Sequence, residues 1–368
     1  MRSRRIMALY LDANATEPLR PEARAAVIRA LDLVGNPSSV HGAGRAARRV
    51  LETARDQVAA RFGASPAEVV FTSGGTEANA IAIAALSRGR RVLAGATEHP
   101  AVLAAAPGAT LLPVLADGTL DLAALDAALA GGPAALVCLM AANNETGVLH
   151  PLAEAASLCR AHGALLHVDG VQAAGRVALA IGQADSLAIS GHKLGGPKGA
   201  GALLLRPGID LPALIAGGGQ ERGRRGGTEA LPAIAGLGAA AEAADPAAAA
   251  RLAPLRDAIE AGAEAAVAGA GAPRLPNTTS LVLPGVAAET QVIALDLAGV
   301  QVSAGSACSS GKVRASHVLA AMGLGAAAGS AIRVSLPWDA PPDTAERFLA
   351  AWSAMRARLS RKAMAGAT

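Results

Sequence analysis

Between about residues 65 and 207 the chain alternates segments of strand character with segments of helical period. No other feature narrows the possible folds as much. Val69–Thr72 is a β-branched and aromatic run that enters Ser73-Gly74-Gly75-Thr76, and an apolar-periodic stretch follows to Leu86. Residues 91–96 read as a strand and 121–130 as a helix with Leu122, Leu125 and Leu129 on one face. Residues 135–142 read as a buried strand, and 151–162 as a helix that opens on its proline. Leu165–Asp169, Ser186–Ser190 and Gly201–Leu205 read as further strands. Strands alternating with helices predict an α/β class with a mostly parallel sheet covered on both faces.

The texture changes beyond residue 230. Residues 230–269 are alanine-rich and read as helical, with Pro232, Pro246 and Pro254 as breaks. After them come a strand (279–283), a helix (289–298), a strand (301–303), a helix (316–322), a strand (332–336) and a helix (343–359). This predicts a smaller α+β domain, and 368 residues suit two domains.

Composition excludes several classes. An apolar share of 52% can bury a large core, which argues against disorder. The longest uncharged apolar run, 127–142, is broken by Gly131, Gly132 and Pro133 and falls short of the ~18–20 residues of a membrane span. After Arg2, Arg4 and Arg5 the apolar run 6–11 is too short for a signal-peptide core, so the expected location is the cytoplasm. Three cysteines without short metal spacing argue against a disulfide framework or structural zinc. A net charge of +4 without aromatics among the arginines gives little support to nucleic-acid binding.

Against that background a few residues carry chemistry. Only four lysines are present: Lys193, Lys198, Lys312 and Lys362. Ser190-Gly191-His192-Lys193 follows a strand, and a desolvated lysine there suits covalent chemistry with a carbonyl. Lys198, in the following glycine loop, competes for that role, and a solvated loop lysine is the ordinary case. Ser73-Gly74-Gly75-Thr76 can bring backbone N–H groups and a helix N-terminus to a phosphate, or be an ordinary turn capped by Thr76. Asp169 ends a buried strand, at the sheet edge where α/β proteins bind ligands, and can hold a protonated ring nitrogen there, or be a helix cap or a loop-solvating group. His99, in Glu98-His99-Pro100, can stack on a flat ligand or shuttle protons, or be a satisfied loop histidine. Cys308 lies in a run of Gly, Ser and Ala that cannot bury its thiol, whereas Cys138 and Cys159 sit in apolar segments. Residues 217–228 form a glycine- and arginine-rich loop suited to an anionic ligand or an acidic partner, or are an ordinary solvated charged loop. Arg333, inside a strand, requires a partner, and a substrate carboxylate is a good bidentate one.

Taken together these motifs resemble the cysteine desulfurases of the NifS/IscS type, within the class V aminotransferase group of pyridoxal 5'-phosphate (PLP) enzymes. The blocks that carry the resemblance are Ser-Gly-Gly-Thr-Glu-Ala-Asn (73–79), Asn-Asn-Glu-Thr-Gly (143–147), Gly-His-Lys (191–193), Gly-Pro-Lys-Gly (196–199), Gly-Gly-Gly-Gln-Glu-Arg-Gly (217–223) and Gly-Ser-Ala-Cys-Ser-Ser-Gly (305–311), in order along nearly the whole chain. The resemblance implies the PLP-dependent transferase fold type I. A large PLP-binding α/β domain with a seven-stranded type of sheet would span residues 16–250. A small α+β domain, 1–15 and 251–368, would carry the cysteine loop.

It also implies roles. Lys193 would hold PLP covalently, Asp169 would pair with its ring nitrogen, Gln172 with its ring oxygen, and His99 would stack on the ring. Gly75, Thr76, Ser190 and His192 would hold the phosphate. Thr228 would reach the phosphate of a neighbouring subunit, which implies a homodimer. Asn144 and Arg333 would orient L-cysteine, and Cys308 would take its sulfur as a persulfide for an iron–sulfur scaffold or another acceptor. Selenocysteine lyase and other class V lyase activities are the rival readings. Two departures stand out: the N-terminal motif reads Asp12-Ala13-Asn14-Ala15-Thr16, shifting its asparagine by one place, and Gly170 stands where alanine is common.

Overall fold

The computed structural model describes residues 8–305 and 315–365. The chain begins with β1 (Leu9–Tyr10), α1 (Pro21–Leu31), α2 (Gly42–Phe62), β2 (Val69–Thr72), α3 (Gly75–Leu86), β3 (Arg91–Gly95), α4 (Pro100–Ala105), β4 (Thr110–Leu112) and α5 (Leu122–Leu129). It continues with β5 (Ala135–Met140), α6 (Leu152–Ala161), β6 (Leu165–Asp169), β7 (Ser186–Ser190), β8 (Gly201–Leu205), α7 (Leu231–Ala243), α8 (Pro246–Ala249) and α9 (Ala253–Ala263). The last part holds β9 (Ala266–Val267), β10 (Thr278–Val282), α10 (Ala288–Leu297), β11 (Val300–Gln301), β12 (Ser303–Ala304), α11 (His317–Ala321), β13 (Ala331–Ser335) and α12 (Thr344–Ala365).

Seven strands form one sheet in the order β2-β8-β7-β6-β5-β3-β4. All neighbours are parallel except β8, which runs antiparallel to both β2 and β7. Strands β2, β5, β7 and β8 are buried at every residue. That explains why they read as continuous apolar runs: a sheet covered on both faces has no polar side. Local signals set the helix ends. Asp121 accepts a hydrogen bond from the N–H of Ala124 to cap α5, and Gly63 closes α2 in a left-handed turn with φ 66°.

A four-stranded antiparallel sheet, β12-β13-β10-β9, carries a second core around Phe348, Trp352, Ile332 and Leu336. Leu9 and Leu11 from the N-terminus pack into this core, and β1 pairs in parallel with β11. The two cores support a division of the chain near residue 250, which we propose as its domain boundary.

The alanine-rich stretch differs from its sequence reading. Its three prolines lie in the first turns of α7, α8 and α9, where the missing N–H costs nothing, so they start helices instead of breaking one. Helix α9 also stops at Ala263. Glu264 adopts φ 49°, and Ala266 and Val267 join the sheet edge beside Val282 and Leu281. Edge pairing overrides the helix preference of alanine there. The expected strand 301–303 is two pieces, β11 and β12, which belong to different sheets.

Candidate active site

The C-terminal ends of β2, β6 and β7 meet the loop after β3 around a cavity of about 520 Å³. Of the residues singled out in the sequence, Gly75, Thr76, His99, Asn144, Asp169, Gln172, Ser190, His192, Lys193 and Lys198 line it. Thr228 is solvent-exposed and does not line it, nor does Arg333. Cys308 lies outside the described residues.

One end of the cavity is built from small residues. A Cβ added at Gly75 would come within 2.6 Å of Val171, and one at Gly201 within 2.7 Å of the Gly74 backbone. Only glycine lets the first turn of α3 approach the sheet this closely. The N–H groups at this helix start suit an anion. Glu77 accepts from the N–H of Ser73 at 2.6 Å, and Arg225 balances its charge at 2.7 Å. Arg225, from the glycine–arginine loop, is thereby tied to the same helix start.

The opposite wall is charged. Asp169 is buried, and burial pushes its carboxyl pKa up; the Val171 N–H (3.0 Å), the nearby His99, the Asn79 amide (2.8 Å) and Lys193 act in the other direction. Lys193 is held down to about 7, first by burial and then by the charges of Arg333 and Arg176. Its amine donates to the carbonyl oxygen of Asn14. Gln172 Nε2 donates to the same carbonyl at 3.0 Å, and its Oε1 accepts from Arg176. His192 is lowered to about 4, mainly by burial and then by Lys193 and Lys198, so its ring is neutral near pH 7. One of its ring nitrogens pairs with Thr16 Oγ1 at 3.0 Å.

His99 caps α4: its Nδ1 accepts the N–H of Ala101 at 3.1 Å. That fixes the neutral tautomer, with the proton on Nε2. Desolvation lowers its pKa, with Asp169 opposing and Lys193 and His317 assisting. Arg333 has partners within the chain: Asp12 at 2.6 Å and the Asn144 carbonyl at 3.1 Å.

Some site residues escaped the sequence reading. Asn14, noted in the sequence only as a departure from its motif, is buried next to the cavity-lining Ala15 and Thr16, and its amide donates to Thr278 and to the Asn144 carbonyl. Asn79 lines the cavity and contacts Asp169; its place in the 73–79 block was the available signal. Glu98 is fully buried, takes the N–H of Met140 at 2.6 Å and has no partner for Oε2; burial raises its pKa well above the ordinary range. Cys138 and Cys159 are buried thiols with raised pKa values, as their apolar segments implied.

Residues 9–348 match the Aminotransferase class-V family. The chain belongs to this family. Among class-V relatives, a protein of Cereibacter sphaeroides named cysteine desulfurase is 46% identical over 352 residues, covering 89% of this chain and 90% of its own. A solved NifS-like protein from Rickettsia africae superposes with a TM-score of 0.88 at 33% identity, covering 95% of this chain and 99% of that one. A structure titled SspA in complex with cysteine superposes with a TM-score of 0.79 at 29% identity, covering 89% and 99%. The class-V fold thus agrees with the α/β expectation of a mostly parallel sheet with added α+β structure.

Proposed function

We propose that the protein is a PLP-dependent cysteine desulfurase. It converts L-cysteine to L-alanine and takes the sulfur onto Cys308 as a persulfide, for iron–sulfur cluster assembly or related sulfur transfer. The observation that carries this reading is a lysine amine with its pKa drawn down to about 7 in the same cavity as a buried carboxylate. The names of the relatives agree with it.

The residues present fit PLP. The glycine-lined start of α3 suits its phosphate and the buried Asp169 a protonated ring nitrogen. PLP, when bound, supplies an electron sink that weakens bonds to the substrate Cα.

The chain's own groups do the rest. Lys193 would hold PLP covalently, and its amine would take the substrate Cα proton. A pKa near 7 leaves much of its amine neutral for that task. Gly75, Thr76, Ser190 and His192 hold the phosphate, and Thr228 reaches the phosphate of the second subunit of a homodimer. Gln172 uses its free amide N–H toward the ring oxygen. His99 would cover the ring, with its Nε2–H free to donate because Nδ1 accepts from Ala101. Asn144 and Arg333 orient the substrate carboxylate, which takes a share of the guanidinium now bound by Asp12. Cys308 attacks the substrate sulfur: the Cβ–S bond breaks, an S–S bond forms, and cysteine plus enzyme thiol become alanine plus enzyme persulfide. The reaction belongs in the cytoplasm, and no described helix is long and apolar enough to cross a membrane.

The test is to incubate the purified protein with L-cysteine while following alanine, persulfide and visible absorbance. Wild type is expected to release alanine and carry a persulfide. Lys193→Ala should lose the cofactor band, and Cys308→Ser should lose the persulfide. A Cys308→Ser protein with full persulfide yield would remove that residue from its role.

A further inference from the structure

From Asp169 and the cavity-lining Asn79 inward to His167 and Ser186, four buried side chains form an unbroken line of hydrogen bonds. Asp169 Oδ2 accepts from Asn79 Nδ2 at 2.8 Å. Asn79 Oδ1 lies 2.9 Å from His167 Nε2, and His167 Nδ1 lies 2.8 Å from Ser186 Oγ. Asn79, His167 and Ser186 are each at most 1% exposed.

The fold explains the alignment. His167 and Asp169 are two residues apart on β6 and so face the same side of the sheet. Ser186 is the cross-strand neighbour of His167 on β7. Asn79 lies one turn into α3, the helix whose start forms the glycine cradle. It thus ties the cradle to the carboxylate at the other end of the cavity.

The line has one polarity. An ionised Asp169 only accepts, so Asn79 must turn its NH2 toward it and its oxygen toward His167. His167 must then donate from Nε2, and its Nδ1 must accept from the Ser186 hydroxyl. A neutral ring meets this requirement, and burial holds the His167 pKa down to about 4. A proton on Asp169 Oδ2 would oppose a donor to the Asn79 N–H and disturb the whole line, so the line favours the ionised carboxylate or a proton kept off that oxygen.

We propose that Asn79 and His167 are positioning residues that keep Asp169 ionised and fix its orientation toward the ring nitrogen of the cofactor. The proposal rests on the PLP reading for the ring, but the polarity of the line belongs to the protein alone. Besides the line and the Val171 N–H, Asp169 feels His99 and Lys193, which favour its charge, and Glu98, whose carboxyl stands nearby.

Two measurements test it. In the full-length protein stripped of cofactor, nitrogen NMR of labelled histidine should show His167 neutral with its proton on Nε2, unchanged between about pH 5 and 8. A charged ring or an Nδ1–H tautomer overturns the proposal, whether or not the protein binds PLP. In the PLP-loaded protein, Asn79→Ala and His167→Leu should lower kcat about 10- to 100-fold with little change in KM, because each removes support for a charged hydrogen bond. Both should also move the pH midpoint of the visible absorbance. His167→Gln keeps an N–H toward Asn79 and should restore most of kcat and the wild-type midpoint. If folded Asn79→Ala keeps both the wild-type kcat and the wild-type midpoint, the proposal fails. A His167→Gln protein as impaired as His167→Leu would also overturn it. A wild-type protein that takes up no PLP fails the cofactor reading, while the NMR result still decides the polarity.

Discussion

The amine of Lys193 donates to the main-chain carbonyl of Asn14, 179 residues away in sequence. A carbonyl is a neutral acceptor, so this contact does not repay the charge for the water it has lost. Arg333 and Arg176 add repulsion, and Asp12 and Asp169 only partly offset it.

The pH dependence of cofactor uptake follows. A lysine attacks an aldehyde only as the neutral amine, and a lowered pKa makes that form dominant above about 7. Stripped protein should therefore take up PLP at a rate that climbs through about pH 7 and levels by about pH 8.5, well below the range of an ordinary lysine. Stopped-flow absorbance would show this, and a rate still climbing steeply at about pH 9.5 would contradict it.

Glu98 gives a prediction of stability. Its folded pKa lies above the ordinary value of 4.5, so the folded chain keeps a proton that the unfolded chain releases. Its contribution is full below that ordinary value and is lost as pH rises through the folded pKa. Glu98→Gln does not titrate and keeps the acceptor for the Met140 N–H. In urea unfolding the variant should match wild type near about pH 4 and exceed it increasingly at about pH 6 and 8. A constant difference across that range would refute the assignment.

Glu221 takes two hydrogen bonds from Arg55, at 2.8 and 2.9 Å, and one from the Phe71 N–H at 2.8 Å, all buried. Glu221→Ala leaves a buried guanidinium without its carboxylate, and should cost about 3–5 kcal/mol. Glu221 and Arg222 hold φ values of 48° and 58°, so the anchor also maintains a left-handed bend in the loop that leads to Thr228. Urea unfolding of Glu221→Ala, Arg55→Ala and the double variant would measure the coupling. A double variant less harmful than the sum of the singles is expected.

Ser316 caps α11 through the Leu319 N–H at 3.1 Å and donates to Glu145 at 2.5 Å. On the other side, a Cβ at Gly305 would collide with the same carboxylate. Ser316→Ala should cost about 1–2 kcal/mol, and Gly305→Ala about 1–3 kcal/mol, both read by thermal or urea unfolding. A neutral Gly305→Ala would mean that Glu145 moves aside freely.

The sheet was legible because both of its faces are covered: strands such as β6, β7 and β8 keep the bounds expected from their apolar runs. The alanine-rich stretch was less legible, since alanine favours helix everywhere and its stops depend on Glu264 turning left-handed and β10 offering an edge. In the cavity, Lys193 and Asp169 stood out through rarity and position. Asn79 and His167 did not, because an asparagine inside a helix and a histidine inside a strand gain meaning only when tertiary packing joins them. Arg333 called for a partner, and a sequence cannot rank a substrate above Asp12.

The residues around Asn14 carry a consequence for synthesis. Its amide and backbone meet Thr278 and Ser335, 264 and 321 positions later. The strand bearing Asp169 and the turn after β7 that bears Lys193 leave the ribosome long before those partners do. A nascent chain can thus assemble the parallel sheet with amine and carboxylate in place while the segment 13–16 still waits for its neighbours. The first wall of the cavity to be made is the last to be set, and only a nearly finished chain closes it.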